Sequence, residues 1–321
     1  MKRINNLYAK IISMDNLVLA EKNARKGKGH QYGVQVFDRN PGANLLSIHE
    51  KLKNKTYTTS AYKTFRIFEP KERIISCLPY IDRIVHHAIM NELEKPFVDS
   101  FTADTYSCIK GRGIGGFRKN FRKALLNVPG TKYCLQIDIK KFYPSIDHRI
   151  LKQQLRRKFK DEDLLWLLDG IIDSAPGVPI GNYLSQYFAN FYLNGFDHWI
   201  KEVMGVKHYF RYCDDIRILC STKEELHRLL GAIRNYFADK LKLELKPNYR
   251  IFPTILGIDV VGSVFFHYHT LLRKSIKQSF ARAMTRKYIS IQRIAAYWSW
   301  AKHANTKHLI KKLWEKRKQA A

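Results

Sequence analysis

Acidic residues are scarce in this chain of 321 residues: 28 Asp plus Glu stand against 57 Lys plus Arg, a formal net charge of +29. A deficit of acids this large points to a polyanionic partner, and the 13% aromatic content suits base stacking as well as core packing. Cysteine is sparse too. Cys77, Cys108, Cys134, Cys213 and Cys220 are scattered and odd in number, with no Cys-x-x-Cys pair, which supports neither a zinc site nor a disulfide framework and suits reduced thiols in a cytosol. No apolar run is long enough to span a membrane, and Met1-Lys2-Arg3 does not open a signal peptide. Of the two common polyanions, nucleic acid is therefore favoured over anionic membrane, and the expectation is a soluble intracellular protein. The glycine-rich Lys110-Gly111-Arg112-Gly113-Ile114-Gly115-Gly116 lacks a following Gly-Lys-Ser/Thr and is not a P-loop. It is either a cationic loop over nucleic acid or a plain loop before a basic helix, Phe117 to Leu126.

What is present is organised around His208-Tyr209-Phe210-Arg211-Tyr212-Cys213-Asp214-Asp215-Ile216-Arg217-Ile218-Leu219-Cys220. Two apolar and aromatic runs predict two short strands, so Tyr212 to Asp215 is a hairpin turn, although no Gly or Asn marks it. Adjacent carboxylates repel and need a cation between them; a divalent metal with oxygen ligands is the usual one, and a solvated Asp-Asp turn is the plain alternative. Upstream, Tyr133 to Ile139 has strand composition interrupted by Asp138. A lone carboxylate on a core strand is costly unless it is paired or metal-bound. If these strands lie side by side, Asp138 and Asp214 converge, and two Mg2+ ions held there can align a 3′-hydroxyl with a triphosphate for in-line displacement.

Several other stretches frame this pair. Met1 to Gly33 reads as helical with a basic end, and Leu45 to Tyr57 contains a short amphipathic helix. Tyr62 to Pro79 predicts a hairpin around Pro70 with Arg66, Lys71 and Arg73 on one solvated face, as strand-edge charges or as a triphosphate clamp. Asp82 to Phe97 predicts a helix begun by Asp82 and ended by Pro96, with His86 and His87 as surface or packing histidines. The Gly/Pro-punctuated Asp173 to Gly181 predicts a loop entering a helix from Asn182 or Tyr183 to about Trp199, a wall for a nucleotide or a simple helix cap. Val260 to Tyr268 is strand-like. Arg273 to Gln319 is helical and basic, with a stripe of Ile276, Phe280, Met284, Tyr288 and Ile291.

The order of Lys71-x-Arg73, Asp138 with Phe142-Tyr143, Gly181-x-x-x-Ser185-Gln186, Tyr212-Cys213-Asp214-Asp215 and Leu256-Gly257 resembles the reverse transcriptases over roughly residues 60 to 265. Ile180-Gly181-x-x-x-Ser185-Gln186, where most members have Gln-Gly-x-x-x-Ser-Pro, is similar to the enzymes of diversity-generating retroelements. So is His303-Ala304-Asn305 after Trp298-Ser299-Trp300. The resemblance implies an α+β right-hand polymerase fold with helical and hairpin fingers, an antiparallel-sheet palm and a small helical thumb. Its expected boundaries are 1–130 for an N-terminal extension and fingers, 131–265 for the palm with a finger insertion near 148–175, and 266–321 for the thumb.

The same resemblance implies an RNA-directed DNA polymerase that copies a template RNA into error-prone cDNA to diversify a target gene. Asp138, Asp214 and Asp215 match the catalytic acids; together with Ile139 they match the ligands of two Mg2+ ions. Lys71, Arg73, Tyr143, Ile180 and Gly181 match the dNTP site. Tyr143 is the ring that rejects a 2′-hydroxyl, with Phe142 facing the core, and Ile180 and Gln186 match positions that govern fidelity. Tyr212, Leu256 and Gly257 match primer–template contacts. Implied partners are template RNA, a DNA or RNA primer, cDNA, dNTPs and a small basic accessory protein, in a bacterial or phage-encoded cytoplasmic setting without a membrane. Tyr249 stands where the family usually has a lysine, between Lys246 and Arg250, which leaves the group that protonates pyrophosphate open. With the chain ending at Ala321, no endonuclease, maturase, protease or RNase H segment is expected to follow. Two alternatives stand beside this reading: a retron or group II intron type of reverse transcriptase, and a catalytically silent RNA-binding protein on the same fold. The intact acids speak against the latter.

Overall fold

The structure, a computed structural model, describes residues 3–68, 72–286 and 290–320. Its strands are β1 (Lys63–Ile67), β2 (Arg73–Cys77), β3 (Tyr133–Asp138), β4 (His208–Tyr212), β5 (Asp215–Cys220), β6 (Arg250–Pro253), β7 (Ile258–Val260), β8 (Ser263–Phe265) and β9 (Thr270–Leu272). They form three antiparallel sheets: β1 with β2, a four-stranded sheet in the order β4-β5-β3-β6, and β7-β8-β9. The chain divides into two compact units. One comprises Met1–Ile109, Ile139–Gly205 and Ile233–Lys246, the other Lys110–Asp138, Val206–Ala232 and Pro247–Ala321.

The first unit is helical apart from β1 and β2. The N-terminal stretch read as helical holds two helices, Tyr8–Ile12 and Met14–Ala24, separated where Ser13 leaves helical geometry and its hydroxyl accepts from the Asn16 N–H. These helices pack through Ile11, Leu17 and Ala20 with the long helix Tyr80–Ser100, whose Ala88 carbonyl accepts from Asn16 Nδ2 at 3.0 Å. Helix Pro41–Lys53 starts earlier than the expected Leu45, with Pro41 in its first turn and the Asn40 side chain as cap.

Two expectations for the long helix are corrected. Asp82 does not start it; the helix begins at Tyr80, and buried Asp82 accepts from Tyr57 Oη at 2.7 Å and Ser60 N at 3.1 Å. Nor does Pro96 end it. Proline removes one backbone bond, but Phe97 in the next position is fully buried among Phe101, Phe159, Tyr187 and Phe191, and that packing carries the helix to Ser100. The hairpin register also corrects the single basic face. Arg73 lies opposite Ile67 and Arg66 opposite Ile74, so the two arginines point to opposite faces of β1–β2.

In the second unit the four-stranded sheet buries Leu135, Ile137, Ile216, Ile218 and Tyr209 on one face. On the other, Phe210 meets Phe117 and Phe121 of helix Gly113–Leu125. That helix takes Gly113 to Gly116, expected as loop, into its first turn. The basic C-terminal stretch is three helices, Lys274–Met284, Ile291–Ala301 and Lys307–Ala320. Phe280 and Met284 of the expected stripe join Ala301 and Leu313 in a separate core. Ile291 is 81% exposed because a new helix starts there, and Tyr288 lies outside the described residues. Asn305 closes onto β9 by exchanging bonds with the Thr270 backbone at 2.7 and 2.9 Å. Trp300 lies against Gly262, where a Cβ would fall 2.1 Å from the ring, and Gly262 also has φ +77°. The β7–β8 turn and helix Ile291–Ala301 are thereby in van der Waals contact.

His86 and His87 are packing residues. His87 stacks on Tyr183 at 4.5 Å, whereas His86 is 1% exposed and burial pulls its pKa down to about 4, with Asp82 opposing and His87 and Arg83 adding to the fall. An unfolded histidine titrates near 6.5. Because the folded value is lower, the unfolded state takes up the proton first as pH falls. The stability is complete above about pH 6.5 and is lost progressively down to about pH 4, by roughly 3 kcal/mol in all. Denaturant titrations should show about 2 kcal/mol lost between pH 7 and pH 5 by this route. His86→Gln should flatten that part of the slope; a slope unchanged in the variant would assign the loss to other groups.

Candidate active site

The strand–turn–strand expected at His208 to Cys220 is present, closed by the two-residue turn Cys213-Asp214 with Tyr212 paired to Asp215. Cys213 takes φ +59°, a left-handed conformation that turn glycine or asparagine normally supplies. Buried Arg211 donates from Nη1 to the Cys213 carbonyl at 3.0 Å and helps hold it there. Backbone strain of this kind clusters at functional sites.

The β3–β5 register ends on Asp138 opposite Asp215, with Asp214 one residue back in the turn. The three carboxylates thus sit at one end of one sheet, each part-buried. Two carboxylates directly across a ladder repel, and Asp215 shows it: burial raises its pKa and Asp138 adds to the rise, while Arg217 and Arg273 pull it down. Arg217 lies two residues along β5, hence on the same face as Asp215. Its guanidinium forks onto the carboxylate, Nη1 in close contact with Oδ1 and Nη2 3.4 Å from Oδ2, and its side chain is 2% exposed. Oxygen donors in such a group are the chemistry a hard divalent cation takes. Among the described residues, however, no cluster of three or more His, Cys, Asp or Glu side chains is arranged to hold a metal ion. Ile139 is fully buried and apolar, so it can offer only its main-chain carbonyl.

Tyr212, Leu256 and Gly257 belong to the same unit as the acids. Tyr212 stands edge-on to Phe117 at 6.4 Å; Leu256 is 66% exposed in the turn Thr254–Leu256 that precedes Gly257 and β7.

The residues matched to the nucleotide belong to the other unit, where the loop after Asp173 gathers them. The Ile180 carbonyl accepts from the Ser76 N–H of β2 at 2.8 Å, and the Val178 N–H donates to the Tyr143 carbonyl at 2.9 Å. Gly181 has φ +122°, and a Cβ there would stand 2.3 Å from the Ser76 carbonyl oxygen, so only glycine allows β2 to come this close. Ile75 is the side chain nearest that point, and Arg73 shares its face of β2. His148 braces the loop from below, Nε2 to the Gly177 carbonyl at 2.7 Å and Nδ1 to Asp173 at 3.1 Å. Backbone bonds thus join the loop with Ile180 and Gly181 to β2, which carries Arg73, and to Tyr143, with Phe142 buried beside half-exposed Tyr143. Gln186 is exposed on helix Tyr183–Tyr192, next to buried Ser185. Lys71 lies outside the described residues.

Sequence reasoning missed Arg211 and Arg217. Each is a cation in an apolar strand, and the spacing Asp215-x-Arg217 was the available signal, since period two puts both on one face. It also missed Asp259, whose carbonyl accepts from Arg217 Nη2 at 2.9 Å and whose carboxylate accepts from Arg273 Nε at 2.7 Å.

Residues 53–248, more than half of the chain, match the family described as Reverse transcriptase (RNA-dependent DNA polymerase). Protein YkfC of Escherichia coli (strain K12) is 22% identical, covering 85% of this chain and 84% of that protein. The Putative COX1/OXI3 intron 1 protein of Saccharomyces cerevisiae is 23% identical over 74% of this chain, which spans 30% of its length. The Nuclear intron maturase 4, mitochondrial, of Arabidopsis thaliana is 25% identical over 51% of this chain and 22% of its own. In fold, the chain is similar to telomerase of Candida albicans at TM-score 0.50 and 11% identity, covering 73% of this chain and 51% of that one. Truncated telomerase of Candida tropicalis gives TM-score 0.52 at 13% identity, over 72% and 60%. The antiparallel sheet with its acids at one end and the helices around it are an α+β polymerase fold, and the chain belongs to the reverse transcriptase family.

Proposed function

We propose that the chain is an RNA-directed DNA polymerase of the diversity-generating kind, extending a primer on a template RNA with dNTPs and Mg2+. The observation that carries the polymerase reading is the register that puts Asp138 opposite Asp215 with Asp214 in the adjoining turn. Bound Mg2+ would supply Lewis-acid stabilisation of the phosphoryl oxygens and ease deprotonation of the primer hydroxyl. In this proposal Asp138 and Asp214 hold the ions, with Asp215 as the third acid and Ile139 contributing its carbonyl. Arg73, with Lys71, binds the triphosphate. Tyr143 packs against C2′ and leaves no room for a 2′-hydroxyl, while Tyr212, Leu256 and Gly257 contact the primer and template. The surplus of positive charge binds the phosphate backbone. We assign 1–130 to the N-terminal extension and fingers, 131–265 to the palm and 266–321 to the thumb.

What supports the diversity-generating kind is the Ile180-Gly181-x-x-x-Ser185-Gln186 pattern, and with it we propose a small basic accessory protein as partner and a bacterial cytoplasmic setting. No helix among the described residues is long and apolar enough to cross a membrane. A second reading, an intron-type reverse transcriptase, is favoured by the similarity to two proteins whose names refer to introns.

Primer extension on poly(rA) with oligo(dT) tests the activity. Asp138→Asn or Asp214→Asn should lower turnover by about a hundredfold or more while RNA binding stays nearly intact, because each removes a ligand charge from a site for two cations. A variant keeping about a tenth of wild-type turnover would falsify the metal assignment.

Ile180 separates the two readings. A glutamine there can hydrogen-bond near the sugar and hold a correctly paired nucleotide in one pose; isoleucine cannot. One such bond is worth about 0.5–1.5 kcal/mol, up to roughly tenfold in discrimination. Ile180→Gln should therefore lower misincorporation opposite template adenine with little change in correct dTTP insertion. Single-nucleotide insertion kinetics measure both rates; an unaltered ratio of wrong to right insertion would make Ile180 a packing residue.

A further inference from the structure

One peptide group of the loop after Asp173 is gripped at both ends. Its carbonyl, that of Gly177, accepts from His148 Nε2 at 2.7 Å, and its N–H, that of Val178, donates to the Tyr143 carbonyl at 2.9 Å. Gly177 makes the approach possible: with φ +60°, a Cβ there would stand 2.6 Å from the carbonyl oxygens of both Tyr143 and Pro144. His148 opens helix His148–Lys158, and Lys152 lies one turn along it on the same side. Both reach Asp173, the residue that ends helix Glu162–Ile172. His148 Nδ1 stands 3.1 Å from Oδ1, and Lys152 Nζ is in close contact with Oδ2. Burial pushes the Asp173 carboxyl up, but Lys152 and His148 outweigh it and hold the group below its usual value, so it faces the ring as a carboxylate. A carboxylate and a main-chain carbonyl can only accept, so the imidazole donates at both nitrogens, as its protonated form does. A line of hydrogen bonds thus runs from Asp173 through His148 and one peptide plane to Tyr143. A proton donated to the Gly177 carbonyl polarises that amide and strengthens Val178 as a donor. All of these residues belong to the first unit.

Resting on the reading of Tyr143 as the ring that rejects a 2′-hydroxyl, we propose that His148, oriented by Asp173 and Lys152, is a positioning residue for sugar selection. It acts through the Gly177–Val178 amide, which fixes the main chain from which the Tyr143 ring projects. Exclusion by a ring depends on where the ring stands, so a loosened anchor costs selectivity before it costs rate. A brace that served stability alone would leave the choice of sugar untouched.

The test uses the full chain in single-nucleotide insertion on poly(rA) with oligo(dT), comparing dTTP with ribothymidine triphosphate, and thermal melting alongside. His148→Asn keeps a donor near the Nδ1 position and loses the one at Nε2, whereas His148→Gln does the reverse. His148→Asn is expected to lower discrimination against the ribonucleotide about fivefold, the scale of one lost hydrogen bond, with kcat for dTTP within about threefold of wild type. His148→Gln, which can still donate to Gly177, should keep discrimination within about twofold of wild type. Asp173→Asn removes the carboxylate that orients the ring, should shift discrimination in the same direction, and serves if His148→Asn does not fold. Tyr143→Ala by itself should admit the ribonucleotide, and adding His148→Asn to it should change discrimination by less than about twofold, since the histidine acts through Tyr143. Discrimination that falls in Tyr143→Ala but holds in both His148→Asn and Asp173→Asn would overturn the proposal alone, whatever their melting temperatures. So would losses in His148→Asn and Tyr143→Ala that multiply in the double variant. Discrimination unmoved by Tyr143→Ala would overturn the reading of that ring, and the proposal with it.

Discussion

Two carboxylates facing each other across the last rung of an antiparallel ladder constrain everything around them. Burial and the charge of Asp138 across the ladder both raise the pKa of Asp215, so positive charge is needed nearby to hold it down. The second unit supplies it permanently as Arg217, and transiently, in the proposed function, as metal. The same strand geometry that creates the repulsion places the relief, because residues 215 and 217 share a face. A second buried arginine, Arg211, donates to the carbonyl of the strained Cys213, the residue before Asp214 in the turn.

The other unit solves a different problem, that of bringing three separated segments to one place. It does so with backbone bonds. Ile180 binds β2 through its carbonyl and Val178 binds Tyr143, and the absence of a Cβ at Gly181 lets the strand approach. The bond from residue 180 to β2 is made by its main-chain carbonyl and does not depend on its side chain. That division of labour is why a change at residue 180 is compatible with an intact loop.

Local signals identified many of the elements. The hairpin around the acids, the strand ending at Asp138 and the loop entering helix Tyr183–Tyr192 all follow from alternation, turn chemistry and capping within a few residues. The same kind of signal failed where packing from elsewhere outweighed it. Pro96 reads as a stop, yet the aromatic cluster at Phe97 carries the helix past it; Asp82 reads as a cap, yet it is spent on Tyr57 and Ser60. The stripe through Ile276 to Ile291 reads as one helix, but its second half begins anew at a Ser290 cap.

The sequence by itself determined the kind of chemistry: the acids that end one strand and begin another, the large surplus of positive charge, and the motif order that resembles reverse transcriptases. These are properties of residue type and short spacing, which need no knowledge of what lies across the fold. The tertiary structure alone decided that Asp138 stands opposite Asp215 and no other residue, that Arg66 and Arg73 part company on β1–β2, and that Arg217 closes on Asp215 and reaches Asp259. Register and buried ion pairing depend on contacts between segments far apart in the chain. One residue of slip would turn every one of those side chains to the opposite face, and nothing in the local pattern fixes the rung.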